Sequence, residues 1–291
     1  MTLPADHAIS GRTALAAVIG DPVTHSLSPA VQNAAFRACG IDAVFAAFTV
    51  AAGRAAEAIA ATRTLGLVGL SVTMPHKEAA ATAVDRCSDT AARLRAVNTV
   101  VRRGDRMIGE NTDGQGFLDS LQRSGGPDPA GARCVVAGAG GAARAVVLAL
   151  ADAGAAEVVV VNRTAARAQV AAALAGARGR VGAGPEIADA DLVVQATPSG
   201  MAGHGAGAVI PVALLGPGQT VVDLVYDPIE TALVHEARAR GARATGGLGM
   251  LVHQAARAFT LWTGVEAPVE AMRAAAEAQI AARTQSRPAE A

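Results

Sequence analysis

The chain has 291 residues, 51% of them hydrophobic but only 2% aromatic, and its 25 Lys plus Arg balance 25 Asp plus Glu. That length accommodates two ordinary domains, which need not be contiguous in sequence, and a zero net charge gives no global field to draw in nucleic acid or an anionic membrane. Any charged ligand has to be held locally.

Cys39, Cys87 and Cys134 lie far apart, with no CxxC pair and an odd count, which argues against a disulfide framework and a thiolate metal cluster; they read as reduced core residues. The N-terminal stretch carries Asp6, His7 and Arg12 without a continuous apolar run, unlike a secretory signal. The longest apolar region, Ala145 to Val161, is interrupted by Asp152 and Glu157, which argues against a membrane span. A cytoplasmic protein is the expectation. A core of Val, Leu and Ala suits a layered α/β fold whose strands are buried on both faces.

Short β-branched runs alternate with alanine-rich stretches, the pattern of parallel βα units. Strands are predicted at Ala14 to Ile19, Ala43 to Val50, Leu67 to Val72, Thr99 to Arg102, Arg133 to Ala137, Glu157 to Asn162, Asp191 to Ala196 and Thr220 to Val225. Helices are predicted at Pro29 to Cys39, Gly141 to Ala153, Thr164 to Leu174 and Ile229 to Arg240, with Met250 to Trp262 and Pro268 to Ala282 closing the chain and free to pack back on the first domain. The breaker cluster Ser124 to Gly131 precedes a strand and reads as a loop near a domain start. The polar end, Thr284 to Ala291, is expected to fray.

Lys77 is the only lysine among the 25 basic residues. Arginine cannot give up its proton in a protein, whereas lysine can be tuned to do so by burial and neighbouring charge, so this position suggests proton transfer rather than simple charge. Pro75 reads as the first residue of a helix, which would set the Lys77 cation in a first turn where the helix dipole opposes it. In Gly20-Asp-Pro-Val-Thr-His-Ser26-Leu-Ser28-Pro29, Ser28 reads as an N-cap ahead of a proline at the first helical position. Ser26 has no such duty, and the two hydroxyls make a candidate carboxylate cradle. Thr73 flanks the turn before Lys77, Asn98 lies in AVNTV, and Asp113 in NTDG reads alone as a helix cap or, beside Lys77, as the carboxylate that orients the ammonium.

Cys134-Val-Val-Ala-Gly138-Ala139-Gly140-Gly141-Ala142-Ala143 sets a glycine-rich turn between a buried strand and a helix, with a second strand following at the spacing of a βαβ unit. Such glycines let backbone amides approach a pyrophosphate at a positively polarised helix start. The second strand ends in Asn162-Arg163-Thr164-Ala-Ala-Arg167, where an NAD site would place an acid for the ribose hydroxyls. Two arginines four apart suit a 2′-phosphate instead, favouring NADP over NAD. The histidines form no metal-ligand spacing, so no metal is expected.

In order along the chain, HSLSP, SVTMPHK, AVNTV, NTDG, GAGGAAR, NRTAAR, ATPSGM, VYDP and GGLGMLVHQ closely resemble the shikimate dehydrogenase family from about Ala16 to Trp262. The resemblance implies a two-domain α/β protein. Residues 1–113 form a substrate domain completed by C-terminal helices at 247–291, and a doubly wound Rossmann NADP-binding domain occupies 114–246. It further implies that Ser26 and Ser28, with Tyr226, take the shikimate carboxylate, and that Thr73, Lys77, Asn98, Asp113 and Gln254 take the ring hydroxyls, with Lys77 as acid/base and Asp113 as its partner. Gly138 to Ala142 would cradle the pyrophosphate and Asn162 to Arg167 the ribose phosphate, while Asp89, Leu224 and Gly247 fall where the family contacts cofactor. The implied activity is reversible NADPH-dependent reduction of 3-dehydroshikimate, by a monomer or homodimer with a small-molecule substrate and no nucleic-acid or membrane partner. Ser71 replaces the usual Asn of the family's N-V-T-x-P-x-K pattern, Gln32 replaces a His, and Gln195 with Pro198 alters N-A-T-S-x-G. Ser71 leaves open quinate or quinate/shikimate oxidation with NAD; a silent sensor is the remaining alternative, against which both Lys77 and Asp113 are retained.

Overall fold

The computed structural model describes residues 9–201 and 209–286. The chain divides into two compact units, Met1–Thr112 with Ala255–Ala291 and Asp113–Gln254. In the first unit the elements run β1 (Ala14–Gly20), α1 (Ser28–Ala38), β2 (Ala43–Thr49), α2 (Ala55–Thr64), β3 (Gly69–Val72), α3 (Lys77–Ala83), β4 (Arg86–Cys87), α4 (Asp89–Leu94), β5 (Thr99–Arg103) and β6 (Arg106–Glu110). The second unit carries α5 (Asp113–Arg123), β7 (Arg133–Ala137), α6 (Gly141–Asp152), β8 (Glu157–Val161), α7 (Ala165–Ala173), β9 (Gly179–Val181), β10 (Leu192–Gln195), β11 (Thr220–Asp223), α8 (Ala232–Ala239) and β12 (Arg243–Thr245). Helices α9 (Leu248–Thr263) and α10 (Val269–Ser286) follow, so the expectation for Thr284 to Ala291 lies partly outside the described residues.

The first sheet has the order β2-β1-β3-β5-β6-β4. It is not the wholly parallel sheet expected: β1 runs parallel to β2 and β3, but β5 is antiparallel to both β3 and β6. The reversal is made by the two residues Gly104 and Asp105 between the paired Arg103 and Arg106, with Gly104 at φ 60°, a backbone that suits a tight hairpin and that glycine adopts without penalty. Beneath the sheet, Trp262 packs its indole where Gly69 has no side chain; a Cβ there would sit 2.0 Å from Trp262 Nε1. The indole N–H donates to the Val100 carbonyl at 3.0 Å, meeting the need of a buried Trp for a partner. Asn33 on α1 bonds both the N–H and the C=O of Phe45 on β2, at 2.8 and 2.9 Å. The closing helices do pack back on this unit: α10 lies along α1, Phe259 meets Phe36 with ring centroids 5.5 Å apart, and Gln32 Nε2 donates to the Ala255 carbonyl.

The second sheet is parallel throughout, in the order β12-β11-β10-β7-β8-β9. Counted along the chain from β7, this is the 3-2-1-4-5-6 order of a doubly wound dinucleotide-binding fold, whose ligand crevice opens outside the carboxyl ends of the strands where the order reverses. Here the reversal falls between β7 and β10. Valine-rich strands such as Val158 to Val160 and Val193 to Val194 are buried on both faces, as a sheet covered on each side by helices requires. Met250, on the first turn of α9, belongs to this unit's core, which is why the boundary between units cuts α9 instead of the glycine-rich turn ahead of it. Of the cysteines only Cys134 is a core residue, with Cys39 and Cys87 half-buried; burial pushes the Cys134 thiol up to about 12.

Helix α5 fits because two of its first four residues are glycines. A Cβ on Gly114 would lie 2.7 Å from the Ala145 carbonyl oxygen of α6, and one on Gly116 2.5 Å from the Gln254 amide nitrogen of α9. Both obstructions are backbone, so a helix must move. Gly116→Ala is expected to destabilise the protein by about 1–3 kcal/mol, the usual cost of overpacking, and a thermal midpoint equal to wild type would show that α9 yields freely.

Candidate active site

The first unit gathers its polar residues at the carboxyl ends of β1 and β3 and at the amino end of the antiparallel β5. Gly20 ends β1 so close to Thr73 that a Cβ there would meet Thr73 Cγ2 at 2.4 Å, and the Asp21 amide donates to the Met74 carbonyl at 2.9 Å. The HSLSP and SVTMPHK segments are thereby neighbours. Arg283 of α10 donates to the backbone carbonyls of His25 and Ser26 at 3.1 and 3.4 Å, holding the serine segment from outside.

Ser28 is not the N-cap. Leu27 occupies that position, Ser28 is the first helical residue, and the prolyl ring follows inside the first turn. The Ser26 hydroxyl instead accepts the Ser28 amide N–H at 3.2 Å, so the structural duty falls on the serine thought free of it. Pro75 likewise does not open its helix: α3 starts at Lys77, with His76 in the cap position and no side-chain cap. The buried ring of His76 bonds the Val50 carbonyl through Nε2 at 2.7 Å and so ties the head of α3 to the end of β2. Lys77, half-buried, takes the first helical position, and its carbonyl accepts the Val97 amide at 2.9 Å.

Asn98 follows Val97 and is almost fully buried. Its Oδ1 accepts the Thr112 amide at 2.9 Å and its Nδ2 donates to Thr112 Oγ1 at 3.0 Å, while its own backbone bridges Val72 and Glu110. Thr112 ends the first unit, and Asp113 is the next residue in the chain and the first of α5. Asp113 is therefore inside its helix rather than a flanking cap, with its carboxylate in the first turn where the dipole favours negative charge. Asp89 stands at the start of the short α4, exposed, after Ser88, whose side chain accepts from the Ala91 amide.

In the second unit the glycine-rich turn falls at the sheet's reversal. Gly138, at φ 123°, faces the Ala196 carbonyl oxygen, from which a Cβ would be 2.9 Å. Gly140 caps the twelve-residue α6 without any side-chain bond, and a Cβ there would meet nothing within 4 Å. With Ala139, Gly141 and Ala142, it makes a glycine-lined helix start that has no side-chain cap of its own, which fits an incoming pyrophosphate. Asn162 Nδ2 donates to the Thr164 carbonyl at 3.0 Å, shaping the turn into α7. Arg163 and Arg167 flank that turn, both exposed and with no carboxylate partner among the described residues. Gly247 packs against Leu224, whose carbonyl oxygen would lie 2.0 Å from a Cβ; this glycine has a packing reason of its own. Tyr226 is half-buried just beyond β11, and Gln254 Nε2 donates to Leu251 O within its helix. Among the described residues no cluster of three metal-ligating side chains occurs, and no helix is long and apolar enough to cross a membrane.

Family models match three stretches: the shikimate dehydrogenase substrate binding domain at residues 18–100, shikimate / quinate 5-dehydrogenase at 120–203 and the shikimate 5'-dehydrogenase C-terminal domain at 247–277. The shikimate dehydrogenase (NADP(+)) of Moorella thermoacetica is 48% identical over 274 residues, covering 91% of this chain and 92% of that one. The chain belongs to the shikimate dehydrogenase family. Among solved structures, a shikimate dehydrogenase in complex with NADP+ superposes with a TM-score of 0.90 at 35% identity, over 95% of this chain and 99% of that one. The quinate dehydrogenase from Corynebacterium glutamicum in complex with NAD gives 0.84 at 34% identity, over 91% and 99%.

For this member of the shikimate dehydrogenase family, several residues shape the site in ways its motifs do not announce. His76 and Thr112 lie within SVTMPHK and NTDG but act through contacts distant in sequence, with the Val50 carbonyl and the Asn98 side chain. Asp223 is a carboxylate at the end of a buried valine strand, and that anomaly was the available signal. Burial pushes its carboxyl up from the usual range, against the opposing effect of bonds from Thr231, Val225 and Gln195.

The exchange of roles between the two serines is directly measurable. Ser26→Ala is expected to lose about 0.5–1.5 kcal/mol of unfolding free energy, the net worth of one hydrogen bond, and Ser28→Ala to stay within about 0.5 kcal/mol of wild type. Urea unfolding of both variants checks this, and the reverse ranking would return the cap to Ser28.

Proposed function

We propose that this chain is a shikimate dehydrogenase, catalysing the reversible NADPH-dependent reduction of 3-dehydroshikimate to shikimate in aromatic biosynthesis. The observation that carries the chemistry is the placement of the chain's one lysine. Lys77 is fixed by its backbone to the strand end that also carries Asn98, whose carboxamide in turn fixes the residue before Asp113.

In this reading Ser26 and Ser28, with Tyr226, take the substrate carboxylate, and Thr73, Asn98, Asp113 and Gln254 take the ring hydroxyls. Lys77 gives its proton to the carbonyl oxygen as that oxygen gains charge, and recovers one in the reverse direction. Asp113 orients the ammonium. An ammonium supplies the proton without a metal, and general acid catalysis of this kind contributes about 10² to 10⁴ in rate. NADP, when bound, supplies or accepts the hydride. Gly138 to Ala142 would hold its pyrophosphate, and Asn162, Arg163, Thr164 and Arg167 its 2′-phosphate, with Asp89, Leu224 and Gly247 completing the coenzyme site. The exposure of Arg163 and Arg167, with no carboxylate partner among the described residues, supports this assignment, since two cations at a helix start are otherwise disfavoured. The protein is read as a cytoplasmic monomer or homodimer that binds neither nucleic acid nor membrane.

Ser71 on β3 keeps quinate as a second reading. It is half-buried and pairs with Thr99 across the sheet, a short hydroxyl where the family's usual residue is longer. Initial rates with shikimate and quinate, each with NADP and NAD, separate the two. Shikimate with NADP is expected to be fastest; quinate with NAD in that place would overturn the proposal.

Two substitutions test the roles. Lys77→Ala should lower kcat about 10² to 10⁴-fold with a smaller change in KM, since the proton is given in the transition state. Lys77→Arg keeps charge and donors but cannot release a proton near neutral pH; it should bind shikimate and turn over poorly, and a near-normal kcat would make Lys77 an electrostatic anchor. Arg163→Ala should weaken NADP by about one to two decades in affinity and leave NAD nearly unchanged. An unaltered preference between the two coenzymes would end the 2′-phosphate assignment.

A further inference from the structure

The end of β10 holds a polar device that the chemistry above does not use. Gln195 is 3% exposed, yet its carboxamide is bonded on both sides. Oε1 accepts the Thr197 amide at 2.6 Å, and Nε2 reaches the Thr197 carbonyl at 3.2 Å, the Ser199 carbonyl at 3.0 Å and Asp223 Oδ1 at 3.1 Å. An amide nitrogen has two hydrogens, so three acceptors share them. The loop from Ala196 to Gly200 is wrapped around this one side chain, and the Thr197 hydroxyl closes it by accepting the Ser199 amide at 3.3 Å.

Asp223 is Gln195's register partner on β11, and it anchors more than the glutamine. Its Oδ1 also accepts the Val225 amide at 3.1 Å, and its Oδ2 accepts the Thr231 hydroxyl at 2.7 Å. Thr231 in turn caps α8 by accepting the Val234 amide. Three segments beyond the strands' carboxyl ends are thus tied to one carboxylate: the β10 loop, the start of the β11 loop and the head of α8.

The location of the loop gives the network its meaning. β10 is one side of the point where strand order reverses, and β7 with its glycine-rich turn is the other. Ala196 sits against Gly138, and its amide donates to the Ala137 carbonyl at 2.8 Å. The two walls of the crevice are therefore the glycine turn and the Gln195-filled loop. The loop itself is half-buried or exposed, so the carboxamide does not serve the apolar core; it fixes the shape of a surface that faces the ligand side.

We propose that Gln195 is a positioning residue for coenzyme binding, its carboxamide, anchored on Asp223, holding the Ala196–Gly200 loop in the form that borders the dinucleotide crevice. This rests on the NADP reading given above. The chemistry required is specific. A methionine keeps the length but offers no bond, and a glutamate would turn an acceptor toward Asp223 and two carbonyls.

The test uses the full-length protein with Gln195→Met and Gln195→Glu, measuring the Kd of NADPH by its fluorescence, KM for shikimate, kcat at saturating NADP, and the thermal midpoint. Gln195→Met is expected to raise the NADPH Kd about tenfold, the equivalent of about 1.4 kcal/mol, and Gln195→Glu to raise it further. KM for shikimate and saturated kcat should stay within about twofold, a split that general loosening of the fold would not produce. A wild type that fails to bind NADPH overturns the coenzyme reading, and the proposal with it. A wild type that binds NADPH, with both variants binding equally well, overturns the positioning role alone. Loss of the folded state in both variants assigns Gln195 to stability and overturns it too.

Discussion

One buried carboxamide sets the frame for the first unit's chemistry. Asn98 uses both ends of its side chain on Thr112 and both of its backbone groups on β3 and β6, so three strand ends and the exit toward α5 are fixed relative to a single residue. In a low-dielectric interior, fully satisfied polar networks of this kind are rigid, and an unpaired member is costly. The neighbouring Val97 amide extends the same frame to the Lys77 backbone. The role proposed for Lys77 needs a proton donor held within a fraction of an ångström, and a long flexible side chain meets that demand only if its root does not move.

The second unit solves a different problem by omission. Gly138, Gly116, Gly114 and Gly247 each face backbone atoms closer than a Cβ tolerates, so the turn, the α5 contacts and the Leu224 contact are possible because those side chains are missing. Gly140 is different in kind, because it faces open space. The same residue type therefore has two meanings within one Rossmann turn: one glycine admits the protein's own backbone, the other leaves room for something outside it.

Much of this could be read from the chain itself. Strand positions followed from β-branched runs and the glycine-rich turn from its spacing between strand and helix, while the solitude of Lys77 in an arginine-rich chain is what proposes it as the proton donor. What escaped depended on contacts distant in sequence. The antiparallel β5 and β6 were hidden because periodicity does not report strand direction, although Gly104-Asp105 between two short apolar runs was a legible hairpin. Serine capping was assigned to the wrong residue because the rule looks one position ahead of proline, whereas the Ser26 side chain reaches two residues on. The Gln195 and Asp223 network was invisible because its members lie 28 residues apart and register alone makes them neighbours.

The Asn33 contact with Phe45 bears on how the protein survives at high concentration. Strand β2 is an edge, and its sequence AVFAAFT holds no charge and no proline, the composition that lets a naked edge template another chain. At Phe45 the outward amide and carbonyl are already taken by a side chain from the protein's own α1, so an incoming strand would find its central rung filled. A short amide placed one helix away thus does the guarding that charged gatekeepers do elsewhere, and it does so without interrupting the apolar face that the other side of the strand must bury.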